Sequence, residues 1–146
     1  KRQVNGDPSV VRAALDGKKN KKMKILAVTF LTNQNRNDLD LSLIKSGNID
    51  ELVTERACNA FLAGADGVIC SPLEANLIRK KNQFSDKIIV TPGIRLDKSD
   101  AGDQKRVSTP SEAIRAGADY IVVGRPIWNA KDPILAVNEI LKDMCI

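Results

Sequence analysis

The feature that most restricts how this chain can fold is a repeat of helix end, glycine, aspartate and apolar run. Ala63-Gly64-Ala65-Asp66 and Ala116-Gly117-Ala118-Asp119 both lead from a helical pattern into a short, apolar strand-like stretch. Ser71-Pro72 and Thr109-Pro110 open helices in a matching way, with a side chain able to cap and proline at the first helical position. Strands alternating with helices define βαβ units and a parallel sheet. Their crossovers are right-handed, so successive strands curl the same way. Counting gives four strands and about five helices, half of a (β/α)8 barrel or a small open sheet.

The expected strands are Lys24 to Leu31, Asp66 to Cys70, Lys87 to Thr91 and Asp119 to Val123. Residues 1–6 are polar and carry no signal. Asp7-Pro8 opens a first helix with Val11, Ala14 and Leu15 on one face. Leu39, Leu41, Leu43 and Ile44 suggest a short helical turn within a polar stretch. A helix from about Asp50 to Ala63 is expected to pack Leu52, Val53, Ala57, Ala60 and Phe61. Ser71-Pro72-Leu73-Glu74 reads as a capping box, as does Thr109-Pro110-Ser111-Glu112. Asp132-Pro133 opens the last helix, whose apolar stripe is Ile134, Val137, Leu141 and Met144. The connection from Ile94 through Val107 is polar, without a core-forming pattern.

Several function classes fall away on composition. With 42% hydrophobic and 28% charged residues the chain is ordinary for a globular domain, and 3% aromatics imply an aliphatic core. No apolar run reaches membrane-spanning length and no signal peptide is visible, so no membrane partner is expected. Cys58, Cys70 and Cys145 are widely spaced and form no CxxC, which suggests reduced thiols and a cytoplasmic protein. Histidine is absent, which excludes histidine-based triads and metal sites within this chain. The net charge of +5 is concentrated partly in Lys18, Lys19, Lys21, Lys22 and Lys24. Without interleaved aromatics that run reads as a solvated loop, and no nucleic-acid partner is expected. The first residue is lysine rather than methionine, so the chain is treated as a possible fragment.

Chemistry concentrates at two strand ends. Val90-Thr91-Pro92-Gly93-Ile94-Arg95 and Val122-Val123-Gly124-Arg125-Pro126-Ile127 are apolar runs that stop at a glycine and then offer an arginine. Glycine lets a ligand approach the backbone, and a guanidinium forks onto phosphate or carboxylate. In a (β/α)8 barrel, phosphate often binds after the last two strands. Gln104 sits on the long polar connection, where its amide could read a base edge or hold a phosphate oxygen. Thr32, just beyond the first expected strand, could hydrogen-bond a ligand.

As a set, Leu31-Thr32, VTPGIR at 90–95, Gly102-Asp103-Gln104-Lys105-Arg106, Ala116-Gly117-Ala118-Asp119-Tyr120 and GRPI at 124–127 closely resemble the orotidine 5′-phosphate decarboxylase family. The resemblance runs from about Asp7 to the C-terminus and follows the family's last four βα units. It implies one partial TIM-barrel domain over residues 1–146, carrying barrel strands five to eight and leaving the first four without counterpart. It implies a carboxy-lyase that converts orotidine 5′-phosphate to UMP and carbon dioxide in pyrimidine synthesis, with neither metal nor organic cofactor. By position, Thr32 resembles the family threonine near the pyrimidine, and Arg95 the arginine after the seventh strand. Gln104 resembles the lid glutamine bridging pyrimidine and phosphate, and Gly124 and Arg125 the phosphate grip.

One departure matters as much as the match. The family's proton donor is the lysine of an Asp-x-Lys-x-x-Asp motif, and no such motif occurs in these 146 residues. Asp16-Gly17-Lys18 fails at Lys21, and Asp103-Gln104-Lys105 fails at Ser108. No catalytic residue is therefore assigned. The expectation is a C-terminal half that binds phosphate and pyrimidine and is inactive alone. Half a barrel has two open strand edges, so a homodimer or association with an N-terminal half is also expected. A non-catalytic nucleotide-binding half-barrel and a related sugar-phosphate decarboxylase or synthase are the alternatives.

Overall fold

The computed structural model describes residues 2–5, 7–41, 46–96 and 106–145, with the backbone alone at 2–5 and 41. Leu43 and Ile44, expected to extend a helical turn, lie outside these residues. Five parallel strands form one sheet in chain order: β1 (Arg2–Asn5), β2 (Ile25–Val28), β3 (Gly67–Ile69), β4 (Ile88–Thr91) and β5 (Tyr120–Ile121). Between and after them run α1 (Pro8–Asp16), α2 (Arg36–Leu41), α3 (Ile49–Leu62), α4 (Pro72–Arg79), α5 (Pro110–Arg115), α6 (Arg125–Trp128) and α7 (Pro133–Met144). No described helix is long and apolar enough to cross a membrane.

The four expected strands are all present, and β1 is a fifth. Arg2-Gln3-Val4-Asn5 holds one apolar residue, so periodicity carries no trace of it. A strand at the sheet edge needs only its backbone ladder, here set by Val4 opposite Ala27.

The register of the three inner strands builds the core in layers. Ala27, Val68 and Ile89 lie side by side, and Val28, Ile69 and Val90 form the next row. Successive residues of a strand face opposite sides. The first row accordingly packs with Val11, Val53, Ala57, Ala75 and Ile78 of the helices. The second clusters with Leu26 on the other face. Because both faces are apolar, these strands read as continuous runs rather than alternations.

Among the helices, α3 buries Leu52, Val53, Ala57, Ala60 and Phe61, as its pattern predicts. Asp7 caps α1, and Thr109 with Glu112 forms a complete capping box on α5. Glu74 departs from expectation. Ser71 caps α4 through Leu73 N–H at 3.2 Å, but Glu74 is fully buried and ion-paired with Arg106 rather than turned back to the cap. A guanidinium that has itself left water holds a carboxylate more strongly than a backbone N–H does.

The stripe expected on α7 is also rotated. Ala136 and Ile140 are buried, whereas Ile134 is 76% and Leu141 52% exposed. Asp143 supplies the reason, since its carboxylate accepts from Ser111 N–H at the start of α5 at 2.8 Å. That bond turns Asp143 toward α5, and the residues three and seven positions earlier, Ile140 and Ala136, share its face.

The repeated aspartates prove to be strand ties. Asp66, entering β3, accepts from Ile25 N–H of β2 at 2.8 Å. Asp119, entering β5, accepts from Ile89 N–H of β4 at 2.8 Å. Lys18 and Lys24 lie 3.5 and 3.3 Å from the Asp66 carboxylate, and Arg79 lies 2.5 Å from that of Asp119. Burial pushes the Asp66 pKa up, but the Ile25 amide and the two lysines outweigh it and hold the carboxyl below its ordinary value. Stability from the Asp66 bonds is therefore full above the ordinary aspartate pKa and is lost as pH falls through the depressed folded value. We predict that Asp66→Asn costs about 1 kcal/mol at neutral pH, given the partial exposure of the carboxylate. Urea unfolding of variant and parent should show that gap shrink as pH falls below the ordinary aspartate value. A gap that stays constant with pH would sink the assignment.

Candidate functional site

The C-terminal ends of β2, β4 and β5 meet at a cavity of about 200 Å3. Thr32 lines it after β2; Pro92, Gly93 and Arg95 after β4; and Val122, Gly124, Arg125 and Trp128 after β5.

Two arginines fix the β2 end. Arg56 donates to the Thr29 carbonyl at 3.1 Å and stacks its guanidinium 4.3 Å from the centre of the Phe30 ring. Arg106 donates to the Leu31 carbonyl at 3.1 Å. Thr32 follows directly and is 8% exposed.

Beyond β4 the chain turns at Gly93, whose φ of 80° is left-handed. A Cβ there would sit 2.7 Å from the Arg106 carbonyl oxygen, so only glycine fits. Ser108 N–H donates to the Gly93 carbonyl at 3.2 Å and Arg95 N–H to the Ser108 carbonyl at 3.0 Å. This parallel bridge fixes the backbone of Arg95, whose guanidinium donates to the Ile94 carbonyl at 2.7 Å. Both ends of the polar connection are thus buried, against expectation: Ile94 packs with Ala113 and Ala118, and Arg106 pairs with Glu74.

After β5, Gly124 begins α6, a short helix not foreseen because Val122 to Ile127 reads as strand and outflow. A Cβ on Gly124 would lie 3.0 Å from the Trp128 ring. Arg125 occupies the first helical position and is exposed.

The site's chemistry follows from its lining. It combines a buried and an exposed guanidinium, a hydroxyl, glycine backbone and an indole, with no acidic residue among the described lining residues. Such a set suits an anion joined to a flat, partly apolar body. A larger hollow of about 540 Å3 lies between α3 and α4, but Asp50, Glu51 and Glu55 line it beside Lys80 and Lys81. That mixed charge offers no convergent donors.

Four of the five expected site residues, Thr32, Arg95, Gly124 and Arg125, therefore share one cavity. The fifth, Gln104, lies outside the described residues. Trp128 was not anticipated. Its signal was available, since it is the chain's one tryptophan and stands one helical turn after Gly124.

Parallel strands alternating with helices, and a cleft at their C-terminal ends, define a partial (β/α)8 barrel. A sequence profile of the Orotidine 5′-phosphate decarboxylase / HUMPS family matches residues 4–140, and the chain belongs to that family. It is 58% identical over 97% of its length to an orotidine 5′-phosphate decarboxylase of Ruegeria pomeroyi, covering 59% of that protein. It is 54% identical to one of a Jannaschia species, covering 62% of it. Among solved structures, the orotidine 5′-phosphate decarboxylase of Lactobacillus acidophilus superposes with a TM-score of 0.78 at 34% identity, over 99% of this chain and 62% of that one. The chain thus spans about three fifths of the length of the relatives it matches.

The Gly93 geometry gives a direct test. Gly93→Ala should cost about 1–3 kcal/mol in urea unfolding, from the strained φ and the clash with the Arg106 carbonyl. A change within experimental error would mean that the turn relaxes freely.

Proposed function

We propose that this chain forms the phosphate- and pyrimidine-binding end of an orotidine 5′-phosphate decarboxylase, with Arg125 and the Gly124 amide on the phosphate. We assign Thr32 to the pyrimidine, Arg95 to the ligand site, and Gln104 to a bridge between base and phosphate. The convergence of Thr32, Arg95, Gly124 and Arg125 on one cavity carries this reading. In it, β2 to β5 are the fifth to eighth strands of the barrel. β1 takes the fourth place, one strand more than the motifs suggested.

The reaction breaks the bond between the pyrimidine C6 and its carboxylate. Carbon dioxide leaves, the electron pair stays on C6, and a lysine delivers the proton. This chain has no Asp-x-Lys-x-x-Asp to supply that lysine. Its contribution is binding energy at a remote group, which offsets the cost of distortion at the reacting carbon. Neither a metal nor an organic cofactor enters. The site is that of a small-molecule enzyme, and we assign it to the cytoplasm.

The 146-residue chain is expected to bind UMP in calorimetry and to leave the ultraviolet absorbance of orotidine 5′-phosphate unchanged. Arg125→Ala should weaken UMP about tenfold or more, the loss of a charge-assisted hydrogen bond, and leave uridine unaffected. Binding of ribulose 5-phosphate but not UMP would favour a sugar-phosphate enzyme instead, and turnover at an enzymatic rate would end the claim of silence.

The outer surface of the last units bears on partners. On α7, Ile134 is 76% and Leu135 55% exposed, and β5 pairs with β4 alone among the described residues. Exposed apolar side chains together with an open sheet edge favour association with the remaining barrel units or with a second copy. Sedimentation should show species larger than one chain, and a stable monomer at micromolar concentration would refute this.

A further inference from the structure

The buried ion pair of Arg106 and Glu74 lies outside the cavity lining, and no role proposed above uses it. Glu74 is 0% and Arg106 6% exposed. One guanidinium nitrogen donates to Glu74 Oε1, and the other donates to the Leu31 carbonyl at 3.1 Å and approaches that of Phe30 at 3.5 Å. Arg106 Nε and Glu74 Oε2 are buried with no hydrogen-bond partner among the described residues. As space-filling this is a poor solution, because two apolar side chains of similar volume are often as stable or more so.

Its location suggests another use. Leu31 directly precedes Thr32, on one wall of the cavity. The Arg106 carbonyl abuts the Gly93 backbone on another wall, and Ser108, two residues on, bridges Gly93 and Arg95. One guanidinium thus links α4, the β2 end and the segment that pairs with the turn after β4. We infer that Arg106, oriented by Glu74, is a positioning residue for the ligand cavity, setting the separation between Thr32 and the Gly93–Arg95 turn. The consequence for ligand affinity rests on reading that cavity as a nucleotide site.

The test pairs Glu74→Leu with Arg106→Met in the 146-residue chain. The double variant removes both buried charges, so its thermal midpoint should equal or exceed the parent's. Its UMP dissociation constant should nevertheless rise roughly tenfold, as expected for a site whose supporting shell is loosened. Amide hydrogen exchange should quicken by a similar factor at Arg95 and Ser108 and stay unchanged in α3. A stable double variant with parental affinity and parental exchange overturns the inference. A parent that fails to bind UMP overturns the nucleotide reading, while exchange at Arg95 and Ser108 still decides whether the pair sets the geometry. If the double variant does not fold, Glu74→Gln decides. It keeps the volume and a neutral acceptor, so it should weaken UMP severalfold, and undiminished affinity with unchanged exchange overturns the inference.

Discussion

Parallel pairing in strict register is the constraint on which the rest of this structure depends. Because Val28, Ile69 and Val90 lie side by side, the three strands end within one residue of each other. The residues after those ends are carried to one side of the sheet. Thr32 after β2 and Arg95 after β4 are 63 positions apart in the chain, yet line one cavity (95 minus 32). The aspartate ties at Asp66 and Asp119 secure the opposite ends of the strands, where a slip would begin. A slip of one residue would exchange the row that packs on the helices with the row on the other face.

Much of this was legible. Alternating strand and helix signals, the helix caps at Asp7, Ser71 and Thr109, and the buried face of α3 all appear where local pattern and propensity place them. Arg95, Gly124 and Arg125 drew notice as a glycine and arginines at strand ends, and with Thr32 they line one cavity. What escaped has a common cause. β1 is held by backbone alone, α7 is oriented by a single bond from Asp143 to Ser111, and Glu74 is claimed by an arginine 32 positions away. Each is decided by a contact distant in sequence, to which a periodicity of 2 or 3.6 is blind.

The cavity itself is assembled from unequal parts. Arg95 is 7% exposed and has its backbone locked in a bridge, whereas Arg125 begins a four-residue helix at the surface. The first arginine comes with its orientation already fixed. The second is open to solvent at the first position of that helix. The burial of the lining is therefore graded, deep toward β2 and β4 and shallow toward β5.

Strand order equal to chain order has a thermodynamic corollary. Among the described residues every strand pairs only with its neighbours in sequence, as the units of a solenoid do. Stability then accumulates as a sum of unit terms and interface terms, each felt chiefly by the next unit along. Within the described residues the two outermost members, β1 and β5, have one strand interface where the others have two. β5, at two residues, is the shortest strand of the five, and the end of the array is where the ladder has least to hold it.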